Sequence, residues 1–154
     1  MIKKEKLQIS LIFRMSEMGS KSEDFHNYCD NQGPNLVIIK TKTNRIFGGF
    51  TPLSWKNKGG SINNESNQTF IFSLDNMKTY NFKNKESTEI ICKNNLGPVF
   101  GNWDFGIRNN MKFGTSYATS ASSFLSNQNL ELTGGKADDE NFETEELEVY
   151  KITY

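Results

Sequence analysis

Hydrophobic positions along most of this chain come in short runs, cut by clusters of Asn, Gly, Ser and Asp. That is the pattern of strands joined by turns. Residues 35–41 contain Leu36-Val37-Ile38-Ile39, apolar on both faces, as expected of a strand covered on both sides. Lys42-Thr43-Asn44 reads as a tight turn, and residues 45–51 return as the second strand of a hairpin. Thr69-Phe70-Ile71-Phe72-Ser73-Leu74 predicts a further strand, with a turn at Asp75-Asn76 and another strand over residues 79–82. Residues 89–92 follow, then the shorter runs 105–108 and 115–117, and a long last strand over 145–154. Residues 56–67, 109–114 and 120–140 read as loops, the last being long for a compact domain.

The first thirty residues differ. Leu7, Ile9, Leu11, Ile12 and Phe13 fit a strand or one helical turn, and periodicity does not choose between them. Phe25, Tyr28 and Cys29 recur at helical spacing, which predicts a helix over residues 22–29. Ser20 with Glu23 fits a capping box, and Ser22 is a second candidate cap. Gly33-Pro34 supplies the stop. Many short strands and one short helix predict a mainly β chain (α+β by content) of one domain.

Composition narrows the function. The 154 residues are enough to bury a core, and 12 Phe against 3 Pro favour pleated sheet. Formal net charge is zero. Among the 18 basic residues only Arg14, Arg45 and Arg108 are arginines, so nothing in the overall charge points to nucleic acid. Cys29 and Cys92 are too few and too far apart for a secreted disulfide framework. No apolar run approaches the ~18 residues of a membrane span, and no apolar segment follows the basic N-terminus. The expectation is a soluble, cytoplasmic protein without membrane insertion, in which the sequons at Asn64 and Asn67 are idle.

Candidate chemistry is sparse. His26 and Cys29 share a helix face and could be a nucleophile with its base, or half of a zinc site. No third orienting residue is apparent, and a Cys29 that packs as a small apolar side chain is the expected outcome. Gly48-Gly49, Gly59-Gly60 and Gly134-Gly135 lie in no phosphate-cradling spacing, and Lys136 completes no such loop. Inside a strand pattern, Gly48-Gly49 predicts a bulge or a close backbone approach. Asp138, Asp139, Glu140, Glu143, Glu145, Glu146 and Glu148 form an acidic cluster, expected to be a solvated turn. Glu148 is the exception, expected to be partly buried and paired because it shares a strand face with Tyr150 and Ile152. Trp55 and Trp103 could stack on sugars or anchor an interface, but half-buried packing is expected of each.

Seven segments in chain order resemble the TLDc domain, the module of the oxidation-resistance protein family. They are Leu11-Ile12-Phe13-Arg14-Met15-Ser16-Glu17-Met18-Gly19; Phe25-His26 through Cys29-Asp30 with Gly33-Pro34; and Phe47-Gly48-Gly49-Phe50-Thr51 with Trp55. Next come residues 69–74, then Gly97-Pro98-Val99-Phe100-Gly101 with Asp104 and Ile107. Leu132-Thr133-Gly134-Gly135 and Glu146-Leu147-Glu148-Val149-Tyr150 close the series. Met15 and Glu17-Met18 depart from the Ala and Arg-Asp usual in the family's opening segment. The resemblance covers residues 11–154 and leaves 1–10 as an N-terminal extension. It implies a β-sandwich of two antiparallel sheets flanked by short helices, with no catalytic centre, metal or cofactor. It also implies a protein partner, the vacuolar-type proton ATPase being the candidate, and a part in protection against oxidative stress. The alternatives are a thiol-dependent redox protein or enzyme using Cys29, and a sugar-binding sandwich using Trp55 or Trp103.

Overall fold

A computed structural model describes residues 6–63, 65, 68–82, 86–112, 115–118, 124, 132 and 140–154. In chain order the elements are β1 (Gln8–Arg14), α1 (Met15–Met18), α2 (Ser22–Cys29), β2 (Asn35–Thr41), β3 (Ile46–Thr51), β4 (Gly60–Ile62) and β5 (Phe70–Ser73). Then come β6 (Lys78–Asn81), β7 (Ile90–Cys92), β8 (Leu96–Phe100), β9 (Phe105–Arg108), β10 (Thr115–Ala118) and β11 (Glu140–Thr153). All ladders are antiparallel. One sheet runs β1-β11-β2-β3-β5-β6 and the other β4-β7-β8-β9-β10, continued by the start of β11. The fold is therefore the expected β-sandwich with short helices beside it.

The strand β11 belongs to both sheets. Its first residues pair with β10, and from Thr144 onward it pairs with β2. The register slips between Thr144 and Glu146, so Glu145 is an inserted residue. Phe142 and Thr144 are buried before the slip, Leu147 and Val149 after it. The bulge absorbs the extra residue, so the apolar side stays inward on both sides of the slip as the strand passes from sheet to sheet.

Aromatic rings explain the Phe content. Phe13, Phe25, Trp55, Phe100, Phe105, Phe47 and Phe142 form one continuous path of ring contacts, with centroids 5.0–6.0 Å apart. Most of these pairs are edge-to-face, the favoured geometry, worth about 0.5–1.5 kcal/mol each beyond area burial. A buried polar tie crosses the same core. Thr69 donates to the Glu89 carboxylate at 2.6 Å and meets Thr51 at 3.3 Å.

Several expectations need correction. The predicted loop 56–67 contains β4, which pairs with β7. Residues 96–100 form β8 although Gly97-Pro98 lies inside it. The ladder to β9 is irregular between Leu96 and Val99, where the missing proline N–H is tolerated. The last strand starts at Glu140, well before residue 145, because buried Thr144 and exposed Asn141 and Glu143 both read as polar. The hydrophobic run of β2 is not covered equally. Val37 and Ile39 are fully buried, but Leu36 and Ile38 are half-exposed on the outer face. Helix α2 has the expected bounds but not the Ser20/Glu23 cap. Lys21 is the N-cap, and the Asp24 carboxylate accepts its backbone N–H at 3.0 Å. Lysine has no acceptor to return the bond, so only half of a capping box exists. After α2, Asn31 takes the left-handed turn (φ 59°). Gly33 serves instead for close approach, since a Cβ there would lie 2.4 Å from the Leu53 carbonyl oxygen.

Candidate functional site

Helix α2 turns Ser22, Phe25, His26 and Cys29 inward, the i, i+3, i+4 and i+7 positions of one face. Phe25 packs edge-on against Phe13 and Trp55. His26 ties the helix to the turn between β7 and β8. Its Nδ1 lies 2.6 Å from Asp30 Oδ1, and its Nε2 lies 2.8 Å from the Lys93 carbonyl and 2.9 Å from that of Leu96. Ser22 anchors the other end of the helix. Its hydroxyl donates to the Asn94 carbonyl at 2.8 Å and meets the Asn109 side-chain amide at 2.6 Å.

These contacts frame a cleft of about 450 Å³. Ser22, Glu23, His26 and Asn27 form its helical wall. Asn57, Asn94, Asn95 and Asn109 come from three loops opposite. His26, at 7% exposure, is the buried floor of this wall.

His26 and Cys29 do not form a catalytic pair. Both ring nitrogens of His26 face oxygen acceptors, so neither is open to take a thiol proton. The Cys29 thiol is fully buried, and burial with Asp30 nearby pushes it far above its ordinary range, away from the reactive thiolate. Burial also pushes the Cys92 thiol up. Both cysteines are free. Among the described residues no three His, Cys, Asp or Glu side chains gather as a metal set.

The remaining candidates are placed by packing. Gly48 and Gly49 mark a close approach without a bulge, because the β2–β3 register is unbroken there. A Cβ on Gly48 would lie 1.9 Å from the Val37 carbonyl oxygen, and one on Gly49 would meet the Phe100 ring at 2.6 Å. Gly97 faces Ile107, and Pro98 and Phe100 are buried beside it in β8. Gly101 (φ 68°) opens the turn that carries buried Asp104, whose Oδ1 accepts the Phe124 backbone N–H at 3.4 Å. Pro34 follows Gly33 through a cis peptide bond. Arg14 holds Glu148 at 2.8 Å and Glu17 at 3.0 Å, and Tyr150 donates to Glu148 at 2.5 Å. Glu148 is thus half-buried and paired, as its strand face predicts. These carboxylates hold the Arg14 guanidinium more firmly in its charged form, and Glu148 pushes the Tyr150 phenol up.

Trp55 is fully buried rather than half-buried, which removes it as a sugar platform. Trp103 is half-buried and lies over Gly106, packed with Ile91, Leu96 and Val99. In the acidic cluster, Glu143 pairs with Lys42 at 3.1 Å, and Glu146 accepts the Ser16 and Leu147 backbone N–H groups. Asp138, Asp139, Gly134, Gly135, Lys136 and the sequons at Asn64 and Asn67 lie outside the described residues. The cleft itself was missed in sequence. Its asparagines are far apart along the chain, and only the Asn-rich turn at 94–95 next to an apolar run offered any signal.

Among the described residues no helix is long and apolar enough to cross a membrane. A family model described as the TLDc domain matches residues 1–153. No curated protein matches the chain.

Proposed function

Because the chain belongs to the TLDc family, we propose that it is a non-catalytic protein-interaction module that engages the vacuolar-type proton ATPase in the cytoplasm and serves oxidative-stress protection. One observation carries the interaction reading. Across β2, β3 and β5 the outer face of the six-stranded sheet is apolar where a solvated sheet face is ordinarily polar, although Glu148 and Tyr150 of β11 border it. Val37 and Ile39 point into the core, so Leu36 and Ile38 point out. Pairing places the partly exposed Phe50 and Phe70 beside Leu36, and Gly48 and Phe72, both buried, beside Ile38. Phe50 and Phe70 stack at 5.4 Å, and Phe70 and Phe72 follow at 6.5 Å. A contiguous apolar patch of this kind on a folded chain marks a docking surface.

The test is co-purification with that ATPase from the native source, using wild type and a doubly substituted chain, Ile38→Glu with Phe70→Glu. Both residues are partly exposed, so the variant is expected to fold and to lose the association. No association of the wild-type chain at physiological concentration sinks the ATPase assignment. Undiminished association of a folded variant sinks the role of this face.

A further inference from the structure

The net charge of zero conceals a local excess. Lys21 precedes Ser22 of the cleft wall, Lys56 and Lys58 flank Asn57, and Lys93 precedes Asn94. Each lysine is therefore one residue, about 3.8 Å of chain, from a lining residue. All four are exposed. Among the described residues none of their ammonium groups has an ion-pair partner. The acids of the same wall are Glu23 and Asp24. They sit in the first turn of α2, where they complement the helix dipole, and Asp24 already accepts the Lys21 backbone N–H.

We propose that the asparagine-lined cleft between α2 and the β7–β8 turn docks an extended acidic peptide segment of a partner protein. The proposal rests on the interaction reading above but uses a surface separate from the apolar sheet face. Asn27, Asn57, Asn94 and Asn95 present side-chain amides with no hydrogen-bond partner among the described residues. Each amide offers a donor and an acceptor, the complement of a peptide group. A phosphate, which only accepts, would leave those acceptors unused. The rim is mostly lysine, a point charge suited to flexible carboxylates, with Arg108 beside Asn109 as its one arginine among the described residues. Among the described residues no aromatic ring other than His26 lines the cleft, and His26 is spent on its clamp, so those residues offer nucleic-acid bases no stacking platform. An excess of positive charge beside a concave polar wall steers an oppositely charged segment even when the whole chain is neutral.

The experiment is fluorescence anisotropy with a fluorescein-labelled octapeptide of alternating Glu and Ala, its all-D counterpart, and an oligodeoxynucleotide of equal charge. The L peptide is expected to bind saturably and to weaken with salt. Charge reversal by Lys56→Glu, Lys58→Glu and Lys93→Glu together is expected to weaken it by about tenfold or more. Lys40→Glu, on the six-stranded sheet, should change binding by no more than about twofold. The D peptide should bind about tenfold more weakly if the amides read the main chain. The proposal is overturned by absent saturation, by equal binding of the two enantiomers, by tighter binding of the oligonucleotide, or by an equal effect of Lys40→Glu. The triple variant is also carried through the native co-purification. Retention of the partner together with lost peptide binding overturns this cleft as a partner-docking site and leaves the interaction reading standing. Failure of the wild type to retain any partner counts against that reading, while the peptide titration still decides the cleft.

Discussion

At Gly48 a methyl group has no place to go. The Val37 carbonyl oxygen lies 1.9 Å from where its Cβ would sit, and backbone cannot swing aside as a flexible side chain can. Gly48→Ala should therefore cost at least about 2 kcal/mol, read from a urea midpoint. Gly60 is the contrast. Its Cβ would meet nothing within 4 Å, and only its φ of 67° resists substitution. Gly60→Ala should cost about 1 kcal/mol. Cys29 offers a test of another kind. Its thiol titrates higher in the folded chain than in the unfolded one, because burial penalises the thiolate. The folded state then holds the proton more tightly, and its contribution to stability is complete below pH 9.0, the ordinary value. Above it, stability should fall by up to about 1.4 kcal/mol per pH unit. Cys29→Ala should remove that part of the slope in denaturation curves taken between neutral and alkaline pH. In the native wild type the thiol should stay unreactive toward a disulfide reagent until denaturant is added.

Helix α2 meets the β7–β8 turn through few side-chain hydrogen bonds, with His26 reaching the Lys93 and Leu96 carbonyls and Ser22 that of Asn94. The His26 ring satisfies a carboxylate and two carbonyls from different parts of the chain. Replacing His26 with Ala leaves those acceptors without their donors. The expected loss is about 2–3 kcal/mol by denaturant unfolding. His26→Phe should not restore it, because a ring of similar size supplies no donor. Faster amide exchange in α2 and in residues 93–96 should accompany the loss, while β2 and β3 keep their protection. Undisturbed exchange in the turn would refute the link. Sequence placed α2 well, since an apolar stripe at helical spacing is a local signal. It placed the cap poorly, because Ser20, Ser22 and Asp24 all suit a helix start and the choice depends on partners elsewhere. Ser22 is drawn away from capping by Asn94 and Asn109.

The two sheets share β11, so the molecule cannot lose one and keep the other intact. Unfolding should be a single transition, with near- and far-ultraviolet circular dichroism superimposable. Deleting Glu145 tests the shared strand directly. Without the extra residue, Phe142, Thr144, Leu147 and Val149 fall at strict two-residue spacing and all still face inward, so the deletion removes the bulge and leaves the faces unchanged. The deletion should therefore keep a single cooperative transition, and Glu145→Ala, at an exposed position, should change stability by no more than about 0.5 kcal/mol. A deletion variant that no longer melts cooperatively would overturn this account of the sheet crossing.

Local physics let the sequence alone determine the hairpin of β2 and β3, the strands β5, β7 and β9, and helix α2. In each, side-chain period and turn residues act over a few neighbours, and neither needs a distant partner. The ordered segments from Leu11 to Tyr150 likewise carried the family resemblance. Tertiary structure decided the rest. β4 is a strand because β7 offers it a ladder. β8 tolerates Gly97-Pro98 because its pairing with β9 is irregular there. Trp55 is buried because Phe25 and Phe100 close over it from separate elements. The cleft exists only where α2 and three loops converge, and no window of sequence contains all its walls. Burial and pairing depend on which surfaces meet, and that is a property of the closed sandwich rather than of any segment.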